Sequence, residues 1–198
     1  MVGVDLSGVE KKETGFCVLD DMSVKTSIVY TDEEIVEKIR ETKPRVVAVD
    51  APLALPKGRK SLEERGDVHL RQCDRELLSM GIKFFPVTLG PMRKLTERGI
   101  RLRRFLEKEG FEVIEVYPGA AQDILKMPRK QKGIEKLRKA LLEHGIRGDL
   151  NKEHITDHEL DAITSALVGK LYLEDKTVSI GDPEEVLMII PTRKTNHK

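Results

Sequence analysis

Apolar and polar positions along the chain alternate with two different periods, and the change of period marks its elements. Residues 2 to 6 set Val4 and Leu6 on one face against Gly3 and Asp5 on the other, then reach the turn residues Ser7-Gly8, the pattern of a short strand. Thr14 to Leu19 and Val24 to Tyr30 are two further β-rich runs separated by Asp20-Asp21, so the chain is expected to open as an antiparallel meander. Thr31 followed by Asp32-Glu33-Glu34 offers an N-cap and an acidic first turn, and Ile35 and Ile39 keep helical spacing up to Lys43-Pro44. Arg45 to Asp50 encloses a continuous apolar run, Val-Val-Ala-Val, as expected of a central strand covered on both faces, and Ala51-Pro52 stops it.

Residues 57 to 110 then read as a helical excursion punctuated by Gly and Pro, with helices near 68 to 80 and 91 to 109, inserted into a single domain spanning 1 to 198. Phe111 to Tyr117 returns as a strand ended by Pro118-Gly119, and 119 to 126 and 133 to 144 look helical. Thr156-Asp157-His158-Glu159 has the spacing of a capping box and opens a helix whose stripe is Leu160, Ile163, Leu167 and Leu171. A last apolar run, Val186 to Ile190, is expected to add an edge strand before a polar, frayed tail. The expected fold is α/β: a mixed central sheet, an antiparallel meander followed by parallel strands, flanked by helices and carrying a helical insertion.

Composition narrows the function classes. No apolar run approaches the ~20 residues needed to span a bilayer, and the chain starts Met-Val-Gly-Val-Asp rather than with a basic and then an apolar segment, so a cytoplasmic protein with no membrane association is expected. Cys17 and Cys73 have no metal or disulfide spacing and are expected as reduced thiols. Charged residues make up 35% and aromatics 4% of the 198 residues, a balance compatible with a thermophilic source. Net charge is only +1, but its placement is uneven: residues 57 to 108 carry 14 basic and 7 acidic side chains, while residues 149 to 186 carry 3 and 10. A basic middle between acidic ends suits a polyanion brought to a metal site, and it equally suits solvated helix faces.

Three carboxylates change the picture. Asp5, Asp50 and Asp161 each sit inside an apolar element, where an unpaired carboxylate is costly unless it is hydrogen-bonded or holds a cation. A shared divalent ion explains all three at once, since Mg²⁺ or Mn²⁺ prefers hard oxygen ligands and serves phosphodiester chemistry. Asp157 reads as an ordinary helix-start carboxylate.

Val-Gly-Val-Asp5-Leu-Ser-Gly, Val-Ala-Val-Asp50-Ala-Pro-Leu, Arg71-Gln-Cys-Asp74-Arg75-Glu-Leu, Glu115-Val-Tyr-Pro, His158-Glu-Leu-Asp161-Ala and Gly181-Asp-Pro-Glu-Glu, in that order, resemble the successive signatures of a family of predicted ribonuclease-H-like nucleases. The match runs nearly the whole length of the chain, and the His-x-x-Asp-Ala helix is also similar to the last motif of Holliday-junction resolvases. The resemblance implies a ribonuclease-H-like fold, Asp5, Asp50 and Asp161 as metal ligands, Glu115 as a fourth acid or a partner of the ligands, and a nucleic-acid partner, DNA or RNA. His158, one helical turn before Asp161, would shuttle a proton or touch a phosphate, or would be a solvent-facing helix-start histidine. Arg71, Asp74 and Arg75 share a helical surface and are candidates for substrate contact, with an intrahelical ion pair as the alternative. Resolvases commonly carry Glu where this chain has Asp50, so resolvase activity itself does not carry over.

Three functions remain open: a metal-dependent nuclease, a nucleotide-binding phosphotransferase of the actin and sugar-kinase superfamily, and a nucleic-acid-binding module without turnover. The phosphotransferase is disfavoured because the chain has little room for a second lobe and shows no Gly-rich segment after Asp161. A homo-oligomer is compatible with the sequence. The pairs Arg103-Arg104 and Arg129-Lys130 read as surface charge, and Lys126 to Lys139 as surface charge or a nonspecific anchor.

Overall fold

A computed structural model describes residues 1–64 and 66–192. The meander is β1 (Val2–Asp5), β2 (Thr14–Asp20) and β3 (Ser23–Val29), followed by α1 (Asp32–Thr42) and β4 (Val47–Asp50). The excursion holds α2 (Gln72–Ser79) and α3 (Gly90–Lys108), after which come β5 (Val113–Val116), α4 (Pro118–Ile124), α5 (Ile134–Glu143) and a two-residue β6 (Arg147–Gly148). The chain closes with α6 (Asp157–Leu173), β7 (Thr177–Ile180) and β8 (Met188–Pro191). Among the described residues no helix is long and apolar enough to cross a membrane.

The strands form one eight-stranded sheet in the order β6-β3-β2-β1-β4-β5-β8-β7. β1 is antiparallel to β2 and parallel to β4, and β4, β5 and β8 continue in parallel, so an antiparallel meander followed by parallel strands is the architecture found, that of the ribonuclease-H-like fold. The last strand differs from expectation. It lies between β5 and β7 rather than at the edge, because Thr177 to Ile180 pairs outside it. β7 was not legible as a strand because its residues are mostly polar or exposed, as an outermost strand permits. The polar tail expected to fray falls outside the described residues.

Helices cover both faces. Val2, Val4, Val47 and Val49 point towards Ile35 and Ile39 of α1 and Leu102 and Leu106 of α3. On the opposite face Cys17 and Leu19 pack with Leu160 and Ile163 of α6 and Leu137 and Leu141 of α5. The apolar stripe expected on α6 is wider in the fold, where every residue from Glu159 to Gly169 is buried. Its start follows the capping box: Glu159 N donates to Thr156 Oγ1 (3.1 Å) and Thr156 N to Glu159 Oε2 (3.0 Å). The other oxygen of Glu159 accepts from Thr26 Oγ1 of β3 at 2.6 Å, which ties the cap to the sheet.

Two glycines let α6 lie against the sheet at backbone contact. A Cβ on Gly3 would collide with the carbonyl oxygen of Ala162 and the backbone nitrogen of Ala166, and one on Gly15 with the carbonyl of His158. Overpacking usually destabilises by about 1–3 kcal/mol, and collisions with backbone leave little to yield. Gly15→Ala and Gly3→Ala are therefore each expected to destabilise the protein by at least that amount, read as a fall in urea midpoint. Gly90→Ala, at the open start of α3, is the control and should leave it unchanged or slightly higher. Unchanged midpoints in the first two would show that α6 can move off the sheet without penalty.

Candidate metal centre

Strand register sets the first two acids side by side. β1 and β4 run parallel with Asp5 opposite Asp50, and alternation turns both side chains, like Gly3 and Ala48 before them, to the face that α6 covers. Asp161 lies on α6 four residues after the first helical residue, and the close approach at Gly3 and Gly15 lowers it onto the same point. Each of the three carboxylates offers an oxygen within 4.8 Å of the other two. Asp5 and Asp161 are buried, and Asp50 is partly exposed.

Neighbouring groups hold this negative charge. His158 Nδ1 lies 2.7 Å from Asp5 Oδ2, and Gln122 Nε2 of α4 donates to Asp161 Oδ1 at 2.9 Å. Lys130, in a 3-10 turn before α5, places Nζ 2.8 Å from Asp161 Oδ2 and 3.1 Å from Asp157 Oδ2. The Arg129-Lys130 pair is thus not ordinary surface charge: Arg129 binds Asp123 and the Tyr117 hydroxyl, and Lys130 reaches into the acid cluster. A pair of basic residues in a run of basic residues gives no sign of this, and Gln122 carried no signal at all.

The other expected residues lie elsewhere. Glu115 is opposite Val49 in register, one step before Asp50, so alternation turns it to the far face of the sheet. There it is 1% exposed and pairs with Arg71, whose Nη1 and Nη2 lie 2.7 Å from its two oxygens, and it also accepts from Leu53 N at 2.7 Å. Arg71 is equally buried and reaches Asp74 at 3.3 Å, while Asp74 accepts from Arg71 N at 2.9 Å and so caps α2. Arg71 and Asp74 meet as their spacing suggests, but both face the interior, and Arg75 does not share their surface: it is exposed and bonded to Gln72 and the Leu70 carbonyl. Two further buried charges escaped the sequence. Arg98 of α3 binds Asp32 (2.7 Å), the Ser7 carbonyl (2.9 Å) and the Tyr30 carbonyl (2.7 Å), fixing the loop that follows Asp5. Glu185, in the Gly181-to-Glu185 motif, accepts from the backbone of Lys57 and Gln72, at the two ends of the segment before α2.

A family model described as a protein of unknown function (DUF429) matches residues 3–186. The chain belongs to the DUF429 family. No curated protein matches it. Among solved structures, T. thermophilus RuvC in complex with a Holliday junction substrate is 15% identical with a TM-score of 0.47, covering 88% of this chain and 96% of that one. A second Thermus thermophilus RuvC structure is 14% identical with a TM-score of 0.45 over the same shares. Such distant likenesses are silent on what this DUF429 chain does.

Electrostatics in the DUF429 site follow from the crowding. Loss of hydration, then the charges of Asp5 and Asp161, raise the pKa of Asp50 well above the ordinary carboxylate value. Burial raises Asp161 as well, against the pull of Lys130. His158 is raised by its hydrogen bond to Asp5. All three shifts act in one direction. A group whose pKa is higher in the folded chain contributes its full stability below its unfolded pKa, about 3.9 for Asp and 6.5 for His, and loses it as pH rises through the folded value. The metal-free protein should therefore melt at a lower temperature at pH 8 than at pH 5. In the presence of a chelator Asp50→Asn is expected to melt above the parent at pH 8, with the difference closing towards pH 4; the reverse order at pH 8 would mean the acids do not repel one another.

Buried pairs predict a contrast. Arg71→Met leaves Glu115 buried without its partner, a change expected to cost about 3–5 kcal/mol, read as a fall in urea midpoint. Arg75→Ala, on an exposed side chain, should stay within about 0.5 kcal/mol. A small effect in both would return Arg71 to the role of a ligand contact.

Proposed function

We propose that this protein is a metal-dependent nuclease that hydrolyses phosphodiester bonds at a divalent ion, Mg²⁺ or Mn²⁺, held by Asp5, Asp50 and Asp161. The observation that carries the reading is the gathering of three carboxylates, from two strands and a helix, with oxygens within 4.8 Å of one another at the carboxyl end of β4. The donor set suits the ion. Carboxylate oxygens are the hard ligands that Mg²⁺ and Mn²⁺ prefer, and three residues offer them here from one place.

When bound, such an ion lowers the pKa of water and offsets the charge of a phosphate. The chain's own groups do the rest. His158 beside one oxygen of Asp5, and Gln122 and Lys130 on the two oxygens of Asp161, hold those carboxylates in place. His158 is about one-third exposed, and its hydrogen bond to Asp5 raises its pKa, a shift towards the protonated ring that could serve a leaving oxygen. Lys130 supplies a positive charge beside the acids, suited to a phosphate that approaches them.

The test is cleavage of labelled single-stranded, duplex, hybrid and branched nucleic acids with Mg²⁺ or Mn²⁺. Asp5→Asn and Asp161→Asn are each expected to reduce the rate at least 100-fold while leaving the circular dichroism unchanged. Cleavage that survives both substitutions would falsify the three-aspartate assignment; ATP turnover without cleavage would favour the phosphotransferase, and binding without either the inactive module.

A further inference from the structure

Apart from the acid cluster, the chain builds a cleft of about 800 Å³ between residues 53–62, which leave β4, and one face of α3, with Pro183, Glu184 and Val186 completing it. Glu97, Ile100, Arg101 and Arg104 follow at three- and four-residue spacing, so α3 presents them on one side. The cleft does not lead to the acids. At Gly99 the helix lies directly on the chain that leaves β4. A Cβ there would stand 2.8 Å from the Pro52 carbonyl oxygen, 3.1 Å from Ala51 Cβ and 3.2 Å from Leu53 Cδ2. That contact separates an occupant of the cleft from Asp50.

The wall is held without most of its cations. Glu185, 2% exposed, accepts from the backbone nitrogens of Lys57 and Gln72 and so pins both ends of the segment between them. Arg59 is engaged within that segment, donating to the carbonyls of Ser61 (3.2 Å) and Val68 (3.0 Å). Val186, next to Glu185, has φ at 63°, a strained conformation for a β-branched residue and one that persists only where the surroundings impose it.

The charge left over has one sign. Lys57, Arg59, Lys60, Arg101, Arg103 and Arg104 line the cleft against two acids, Glu97 and Glu184. Lys57 takes Glu184 at 2.9 Å and Asp182 at 3.3 Å. Arg103 reaches Glu107 at 3.7 Å, and its buried Nε has no acceptor. Among the described residues Lys60, Arg101 and Arg104 make no ion pair, and Glu97 pairs with none of them although it lies four residues before Arg101. Like charges gathered in a concave wall focus their field on a multivalent anion.

The spacing of the cations indicates which anion. A nucleic-acid strand carries one charge per nucleotide and is met by cations spread along a path. A polyphosphate group instead packs several charges onto adjacent phosphorus atoms. Arg101 and Arg104 are one helical turn apart, about 5–6 Å between Cβ atoms, and Lys60 lines the same cleft from the other wall. We propose that this cleft binds the polyphosphate group of a small ligand, with Arg101, Arg104 and Lys60 on its phosphate oxygens. The assignment stands on the cleft alone and requires neither the metal nor the nuclease reading.

Isothermal titration calorimetry tests it, with a chelator present so that no metal ion carries the anion to the acids. The probes are tripolyphosphate, ATP, GTP, orthophosphate and a single strand of about ten nucleotides without a terminal phosphate. Tripolyphosphate is expected to bind at one site per chain, at least about tenfold tighter than orthophosphate or the oligonucleotide, because each added charge-assisted contact gains about that factor. Arg101→Gln/Arg104→Gln should weaken it by about tenfold or more with an unchanged circular dichroism spectrum, and Lys60→Gln by less. Lys136→Ala/Lys139→Ala on α5 should behave as the parent, and Asp5→Asn should bind tripolyphosphate at least as well. A nucleoside triphosphate that binds tighter than tripolyphosphate identifies a nucleotide as the ligand, and equal affinity identifies the phosphate chain itself. No binding of tripolyphosphate, equal affinity for orthophosphate, tighter binding of the oligonucleotide, or unchanged affinity in the double arginine variant would overturn the proposal.

Discussion

The structure depends on how closely α6 lies against β1 and β2. Gly3 and Gly15 remove the side chains that would hold the helix off, and Ala162 and Ala166 do the same from the helix. Nothing larger fits between the two backbones. That contact brings Asp161 and His158 down to the height at which Asp5 and Asp50 leave the sheet, and it buries the middle of α6 on nearly all sides. A helix held by ordinary leucine packing would stand away from the strands, and its carboxylate with it.

Close packing of charge needs compensation, and the fold supplies it asymmetrically. On the far face of the sheet the acids are neutralised: Glu115 is held by Arg71, Asp74 by the start of α2, and Glu185 by two backbone amides. On the face that α6 covers three carboxylates share one lysine and one histidine, and Asp50 is left to hold a proton more readily than a carboxylate should. The same residue type is fully paired in one place and crowded with its own kind in the other. The difference is how many donors the chain has built in for each carboxylate.

Much of this was legible in the chain. Apolar strands interrupted by a single acid pointed to Asp5 and Asp50, and the capping box at Thr156 located the helix that carries Asp161. Periods of two and of three to four residues are local properties that survive in the sequence. Glu115 shows the limit. Its strand and its place near the carboxyl end were read correctly, but one step of register decides which face it joins, and that step moved it to Arg71. Arg71 and Asp74 show the same limit on a helix, where spacing says that residues share a side without saying which side faces the interior. Lys130 was lost in a run of basic residues because only a fold across more than thirty positions brings it to Asp161 and on to the neighbourhood of Asp5.

By itself the sequence determined most of the elements, though not β6 and β7, the meander-then-parallel order and the three aspartates, because hydrophobic period, capping and the cost of a carboxylate in an apolar run are set by neighbours along the chain. Only the tertiary structure decided which charges meet. It assigned Lys130 and Gln122 to the acids and withdrew Glu115 and Arg71 into the interior. The physical reason is range: local preferences act over a few residues, whereas electrostatic partnership and shape depend on distances that exist only once helices have been packed on a sheet.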